Sequence, residues 1–249
     1  MNLSFTIVAH NGLSLLVYRP WWEEGILHGM TLRPLSFTGE LCGESLADFY
    51  QATGTSLLAH PKQTHGDRYF DARKRKAIEA ERAVDGSLSW FGEFDALIAP
   101  TSQNLPGEQI AYGIATADCV PIIMRGRSAW GLVHAGWRGL ANGIVPKVAR
   151  ALGEVQEVAI FACAGGSVYE VGDEVVDAIG DCAVCTRSAG GRSLLDTAET
   201  AKTSLLPFVA ADRIETSGIC TILDTRFHSH RRDKDDAGRS ITFVSPAHA

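Results

Sequence analysis

The chain lacks every feature that would take it out of the ordinary globular class. No apolar run reaches the roughly 18 residues that a membrane-spanning helix needs. The N-terminus, Met1-Asn2-Leu3-Ser4-Phe5-Thr6, has no basic cluster and no long apolar stretch, so it does not read as a signal peptide and a cytoplasmic protein is expected. Six cysteines in 249 residues are too sparse for a disulfide scaffold, and reduced thiols are expected. Positive charge is not in excess: 23 Lys and Arg against 29 Asp and Glu give −6. That balance removes any global electrostatic reason to bind nucleic acid or an anionic membrane, although a local basic pocket can still hold a small anion. Internal repeats, low-complexity tracts and a Pro/Gly/Ser linker are also missing. One domain over residues 1–249, acting as a monomer, is the simplest expectation.

What is present is a composition of 45% apolar and 21% charged residues, enough to bury a sizeable core. Apolar runs at Phe5–Val8, Leu13–Tyr18, Ile26–Leu32 and Leu57–Thr64 read as strands separated by turn residues. Further strands are expected at Asp95–Ala99, Gln109–Thr116, Val120–Met124, Ala129–His134, Val158–Ala164, Arg213–Cys220 and Ser240–Val244. Helical patterns cover Gly43–Ala52, the charged segment 72–84, Leu140–Leu152, Val171–Ile179 and Asp196–Val209, the last with Asp196 as N-cap. Strands and helices alternate irregularly, and the N-terminal hairpins argue against a purely parallel sheet. The expected class is mixed α/β, α+β-like, with mixed sheets flanked by helices.

Three short segments carry residues that packing does not explain. Gln63-Thr64-His65-Gly66 puts a histidine after a strand and before a glycine. Thr116-Ala117-Asp118-Cys119-Val120-Pro121 puts an acid and a thiol between two apolar strands. His134-Ala135-Gly136-Trp137-Arg138-Gly139 ends a strand beside the expected start of a helix, where Arg138 and the helix terminus favour a phosphate or carboxylate. Each has a plain structural reading as well: a hydrogen-bonded histidine, a buried inert cysteine, a tight turn. Taken together, His65, Cys119 and His134 form a His2Cys set. That set suits zinc with an open fourth position, where a bound water becomes a nucleophile at neutral pH.

The blocks Q-T-H-G, D-A-L-I, T-A-D-C-V-P, H-A-G-W-R-G-L, Y-E-V-G-D-E-V and R-R-D…G-R follow one another in this order. The chain thereby resembles the laccase-domain family, once called multicopper polyphenol oxidases and described as zinc-dependent purine nucleoside phosphorylases with adenosine deaminase activity. Bacterial members are also described as peptidoglycan editing factors. The resemblance runs from about Ile26 to Val244. It implies zinc on His65, Cys119 and His134, with purine nucleosides and phosphate as partners. It also favours a role for Arg231 or Arg232. On the zinc-enzyme reading, Arg138 with one of these two would hold phosphate for attack at the ribose C1′. Trp137 or Tyr169 would stack on the base, and Gln63 would face the substrate. Asp118 would orient a ligand or shuttle a proton. Deamination would use a zinc-held water at C6 of adenine.

Other signals are weaker. Cys182-Ala183-Val184-Cys185 has no second C-x-x-C, and cysteines in an apolar strand are the expectation. His228-Ser229-His230 would place two imidazoles on one face of a strand, a copper-like pattern. Eight scattered histidines do not suffice for a four-copper oxidase, so copper stands behind zinc. Two rival readings accompany the zinc enzyme. One is a Cys–His hydrolase editing peptidoglycan precursors, with Cys119 as nucleophile and His134 as base. The other is a non-enzymatic, zinc-stabilised binding module, closed by a fourth ligand from Cys163, Cys220 or His230.

Overall fold

Strands that are apolar on both faces build two sheets that share a buried seam. The computed structural model describes residues 3–38, 42–74, 81–82, 88–102 and 109–246. The N-terminal part contains β1 (Phe5–His10), β2 (Leu13–Tyr18), α1 (Arg19–Glu23), β3 (Leu27–Thr31), α2 (Cys42–Thr53), β4 (Leu57–Lys62) and β5 (Tyr69–Asp71). The middle contains β6 (Glu81–Arg82), β7 (Leu88–Glu93), β8 (Ala96–Pro100), β9 (Ile110–Thr116), β10 (Val120–Gly126), β11 (Ala129–Ala135), α3 (Trp137–Ala141), α4 (Ile144–Leu152) and β12 (Val155–Ile160). The remainder is β13 (Glu170–Val171), α5 (Asp173–Ile179), β14 (Cys185–Arg187), β15 (Ser193–Leu195), α6 (Thr197–Leu205), β16 (Ile214–Thr216), α7 (His230–Asp233) and β17 (Ser240–Ser245).

Among the described residues the larger sheet has the order β1-β2-β3-β17-β9-β4-β7-β6, and the second has the order β16-β12-β10-β11-β8-β5. Both are mixed: β4 runs parallel to β9 and β7, and β12 parallel to β16, while hairpins such as β10–β11 are antiparallel. The expected mixed α/β class is thus observed. A small sheet, β13-β15-β14, lies to one side. Among the described residues no helix is long and apolar enough to cross a membrane.

The period of two decides which layer each residue enters. In β9, Ile110, Tyr112 and Ile114 join the core between the sheets, whereas Ala111 joins the core under α2. In β11, Trp130 and Leu132 enter the seam, whereas Ala129, Val133 and Ala135 face α4 and α6. The layers are therefore α2, large sheet, second sheet, then α4 with α6. Ile144, Val145 and Val148 of α4 are fully buried, and each such side chain stabilises the layer by about 1.5–3 kcal/mol. The contact is close enough to need Gly131, where an added Cβ would lie 2.8 Å from Leu152 and 2.9 Å from Val148.

Several expectations need correction. The helix expected over Leu140–Leu152 is two helices, because Gly143 adopts φ +73°, a left-handed conformation no α-helix can continue through. Within the helix expected over 72–84, the described residues take other conformations. Ala72–Lys74 make one 3-10 turn, with Asp71 holding the Arg73 guanidinium, and Glu81–Arg82 pair antiparallel with β7. The rest of that expectation, 75–80 and 83–84, lies outside the described residues. Strands β5 and β7 were not foreseen. The strands expected to reach Ala164 and Cys220 stop at Ile160 and Thr216, and Cys163 and Cys220 meet only as an isolated bridge. Asp196 does cap α6, its carboxylate accepting the Glu199 amide at 3.0 Å.

Candidate metal centre and its cavity

Strand ends from both sheets converge where the metal-capable residues lie. His65 follows β4, Cys119 occupies the turn from β9 to β10, and His134 is the penultimate residue of β11. Their ligand atoms all lie within 4.8 Å of one another. The two imidazoles meet edge to face, with centroids 4.9 Å apart. His134 shares the parity of Trp130 and Leu132 and so points into the seam, where it is 3% exposed. His65 is exposed, so the group grades from the buried core to an open side. The three ligands expected from the sequence are brought together.

The backbone is bent to achieve this. His65 has φ +61° and Asp118 has φ +88°, both left-handed conformations that side chains seldom adopt. Gly136 passes directly over the group: a Cβ there would lie 3.0 Å from His65 Cδ2 and 3.1 Å from Cys119 Sγ. Gln63 extends the β4–β9 ladder with its side chain, donating Nε2–H to the Ala115 carbonyl and accepting the Ala115 amide, each at 2.7 Å.

A residue that sequence reasoning passed over holds the centre. Asp95, just before β8 and 1% exposed, accepts His134 Nδ1–H at 2.9 Å. The same carboxylate accepts the amides of Thr64, His65 at 2.8 Å and Gly66 at 2.7 Å. Burial works against its ionisation, yet the His134 hydrogen bond and the Gly66 and His65 amides hold its pKa down to about 2. Its signal was the acid opening the D-A-L-I block. Burial likewise opposes a charged Cys119, but His134 and His65 hold the thiol below its ordinary range. Burial opposes a charged His134, but Cys119 and Asp95 hold it above its ordinary range. This thiolate–imidazolium arrangement is one in which a divalent cation replaces the proton.

The group opens on a cavity of about 540 Å³. Arg138, Arg231 and Arg239 line it, and none forms an ion pair with a described carboxylate. Arg138 stacks over Trp137 at 4.2 Å, and Arg231 stacks over Tyr169 at 4.7 Å while donating to the Glu170 carbonyl. Arg239, the arginine that closes the R-R-D…G-R block, is braced by the carbonyls of Ala237 and Gly238. The helix expected beside Arg138 is a single five-residue turn, so anion attraction rests on the guanidinium and not on a helix terminus.

Other expected site residues are otherwise employed. Arg232 is absent from the cavity wall; its guanidinium donates to the carbonyls of Thr221 and Phe227 and pairs with Asp233. The polar atoms of Gln63 are taken up by Ala115. Asp118 accepts the Thr221 hydroxyl and the Arg231 amide, each at 2.6 Å, so it fastens the cavity wall. His228 and His230 are not a pair. His228 is buried against the Leu35 carbonyl, while Ser229 caps α7 and His230 is exposed at the cavity. Cys182 and Cys185 lie in a 3-10 turn and on an exposed strand, not in an apolar one, and both are free thiols. Among the described residues no fourth His, Cys, Asp or Glu joins the metal-capable group.

The layered fold and, among the described residues, one metal-capable group at converging strand ends point to a class of protein. A family profile described as "Multi-copper polyphenol oxidoreductase laccase" matches residues 43–247, and the chain belongs to that family. The purine nucleoside phosphorylase of Aquifex aeolicus (strain VF5) is 32% identical over 205 residues, covering 77% of this chain and 84% of that protein. Adenosine deaminase RL5, from an unknown prokaryotic organism, is 32% identical over 210 residues, covering 75% and 74%. The solved structure of YlmD from Geobacillus stearothermophilus superposes with a TM-score of 0.78 at 21% identity, covering 98% of this chain and 99% of that one, which establishes the shared fold. The family description names several coppers, but the described residues contain one metal-capable group. Met30 and Met124, the described methionines, are buried in the cores away from the cavity and supply no axial thioether of the blue-copper kind.

Proposed function

We propose that this chain is a zinc-dependent purine nucleoside phosphorylase. The observation that carries the reading is the meeting, in one cavity, of a His2Cys group with three guanidinium groups that no described carboxylate neutralises. The Aquifex relative, named a purine nucleoside phosphorylase, supports the same reading. Two imidazoles and a thiolate suit zinc and leave a coordination position free. Zinc held by His65, Cys119 and His134 would supply a Lewis acid beside the substrate.

Phosphorolysis joins a phosphate oxygen to the ribose C1′ and breaks the bond from C1′ to the base. The bond electrons leave with the base, which takes up a proton. Arg138 and Arg231 would hold the phosphate, since a planar guanidinium presents paired N–H donors to two phosphate oxygens. Each already lies on an aromatic face, which fixes its plane before the anion arrives. Trp137 and Tyr169 would offer the base their edges and remaining faces. Asp118 would keep Arg231 in place through its amide, and Gln63 would keep the His65 turn in register with β9.

A second reaction follows from the relative named adenosine deaminase. Replacing the 6-amino group of adenosine with oxygen from water releases ammonia and needs no phosphate, so the two activities separate in one assay. The chain Cys119–His134–Asp95 also has the connectivity of a thiol hydrolase, which is the observation favouring an editing hydrolase. Chelation inactivates the zinc enzyme, whereas alkylation that zinc does not block inactivates the hydrolase. A purely structural zinc would need a fourth protein ligand, and among the described residues none joins the group.

The test is chromatography of adenosine and inosine incubated with the purified protein, with and without phosphate, beside Cys119→Ala. Free base and ribose 1-phosphate that require both phosphate and Cys119 are expected. Turnover undiminished in Cys119→Ala with zinc retained would refute the reading.

A further inference from the structure

We infer that Asp95 is the positioning residue that assembles the metal centre: one carboxylate sets the ring of His134 and the turn that carries His65. The inference rests on the reading of His65, Cys119 and His134 as metal ligands.

The geometry leads there directly. A metal-ligating histidine uses one ring nitrogen for the metal and needs a partner for the other. Asp95 Oδ1 accepts from His134 Nδ1 at 2.9 Å, which selects the tautomer that leaves Nε2 for the metal. The backbone amide of His134 donates to the Asp95 carbonyl at 2.8 Å, so residue 95 holds both the ring and the main chain of that ligand. On its other side the carboxylate collects three consecutive amides, those of Thr64, His65 and Gly66. Successive amides turned to one point form an anion-binding nest. Here the nest encloses His65, whose φ of +61° is otherwise unfavourable. The two histidines come from different sheets, and Asp95 is the group that touches both ligand segments. At 1% exposure it has no water to replace any of these donors.

A neutral amide of the same size cannot do this work. Asparagine has one acceptor oxygen, and its NH2 would face N–H donors. The ligands would remain present but lose their fixed orientation. Outer-shell partners of metal ligands are worth about 10- to 100-fold in metal affinity, and a partner acting on two ligands belongs near the upper end.

The experiment measures zinc affinity by competition with a chromogenic chelator for wild type, Asp95→Asn and Ile98→Val. Ile98 lies three residues along in β8, fully buried and remote from the carboxylate, so its variant reports loss of stability alone. Expected are one zinc per wild-type chain, weakening by about 10- to 100-fold in Asp95→Asn, and wild-type affinity in Ile98→Val. The cobalt-substituted Asp95→Asn protein is expected to show altered ligand-field bands. Affinity in Asp95→Asn within about twofold of wild type, with unaltered cobalt bands, overturns the inference and leaves the metal reading standing. A wild type that takes up no zinc overturns both. Should Asp95→Asn not fold, long-range proton–nitrogen correlation on the zinc-loaded wild type decides the matter. His134 protonated at Nδ1 supports the inference, and the opposite tautomer overturns it.

Discussion

A single methyl group placed at residue 136 should damage the metal centre while leaving the backbone unstrained. Gly136 has φ −72° and ψ 172°, a conformation alanine adopts freely, so Gly136→Ala adds no backbone strain and reaches the metal centre through its new Cβ. That atom would lie 3.0 Å from His65 Cδ2 and 3.1 Å from Cys119 Sγ. Ordinary contact between such atoms begins near about 3.5 Å, so two ligands must retreat by roughly half an ångström. Overpacking of this kind costs about 1–3 kcal/mol. Because the displaced atoms are ligands, the cost should appear as zinc affinity weakened by about 5- to 150-fold. Gly136 is also the N-cap of α3, where alanine is poorer by about 1 kcal/mol. A chain of this length then melts roughly 2–4 °C lower even without metal. Competition titration reads the first effect, and thermal melting in excess chelator reads the second. A folded Gly136→Ala protein with unchanged zinc affinity would refute the placement of the metal between His65 and Cys119.

Two arginines expected from the sequence to share a role should separate. Arg138→Ala removes an exposed guanidinium from the cavity, so phosphate KM should rise at least about tenfold with little change in Tm, whereas Arg232→Ala unties Thr221 and Phe227, so Tm should fall by several degrees with phosphate KM unchanged. Steady-state kinetics and melting of both variants check this, and an equal rise in KM for both would contradict it. His28 should impose a pH dependence on stability. Its Nε2 accepts the Tyr18 amide and burial holds its pKa down to about 4, so the unfolded chain binds the extra proton first. Stability is therefore full above about pH 6.5 and falls by roughly 3 kcal/mol as pH drops towards 4. His228, also held low by burial, adds in the same direction. His134, held high, contributes nothing within that window in the metal-free protein, because its share is lost only as pH rises above 6.5. Urea midpoints of metal-free protein at pH 6.5 and 5 test the slope, and His28→Gln, which can still accept the Tyr18 amide, should lose much of it.

Local pattern was enough for much of the fold. The apolar runs of β2, β9, β10 and β11 were legible because strands buried on both faces are apolar at nearly every position, and the apolar face of α4 and the Asp196 cap because helices follow a period of 3.6 and need a cap. The metal set was legible for a different reason: His65, Cys119 and His134 are residue types whose chemistry outweighs their packing value at strand ends. Tertiary structure alone decided the rest. The D-A-L-I block marks Asp95, but not that it bonds residues 30 and 39 positions away. Whether an arginine faces a ligand or a carbonyl cluster depends on elements distant in sequence, so Arg231 and Arg232, adjacent in the chain, part company in space. The described residues of segment 72–84 show the same limit, since helix propensity yielded to strand pairing at Glu81–Arg82 and to the Asp71–Arg73 contact. Composition and periodicity report what each stretch prefers by itself. Which polar atoms remain free for chemistry is settled by the partners the fold brings to them.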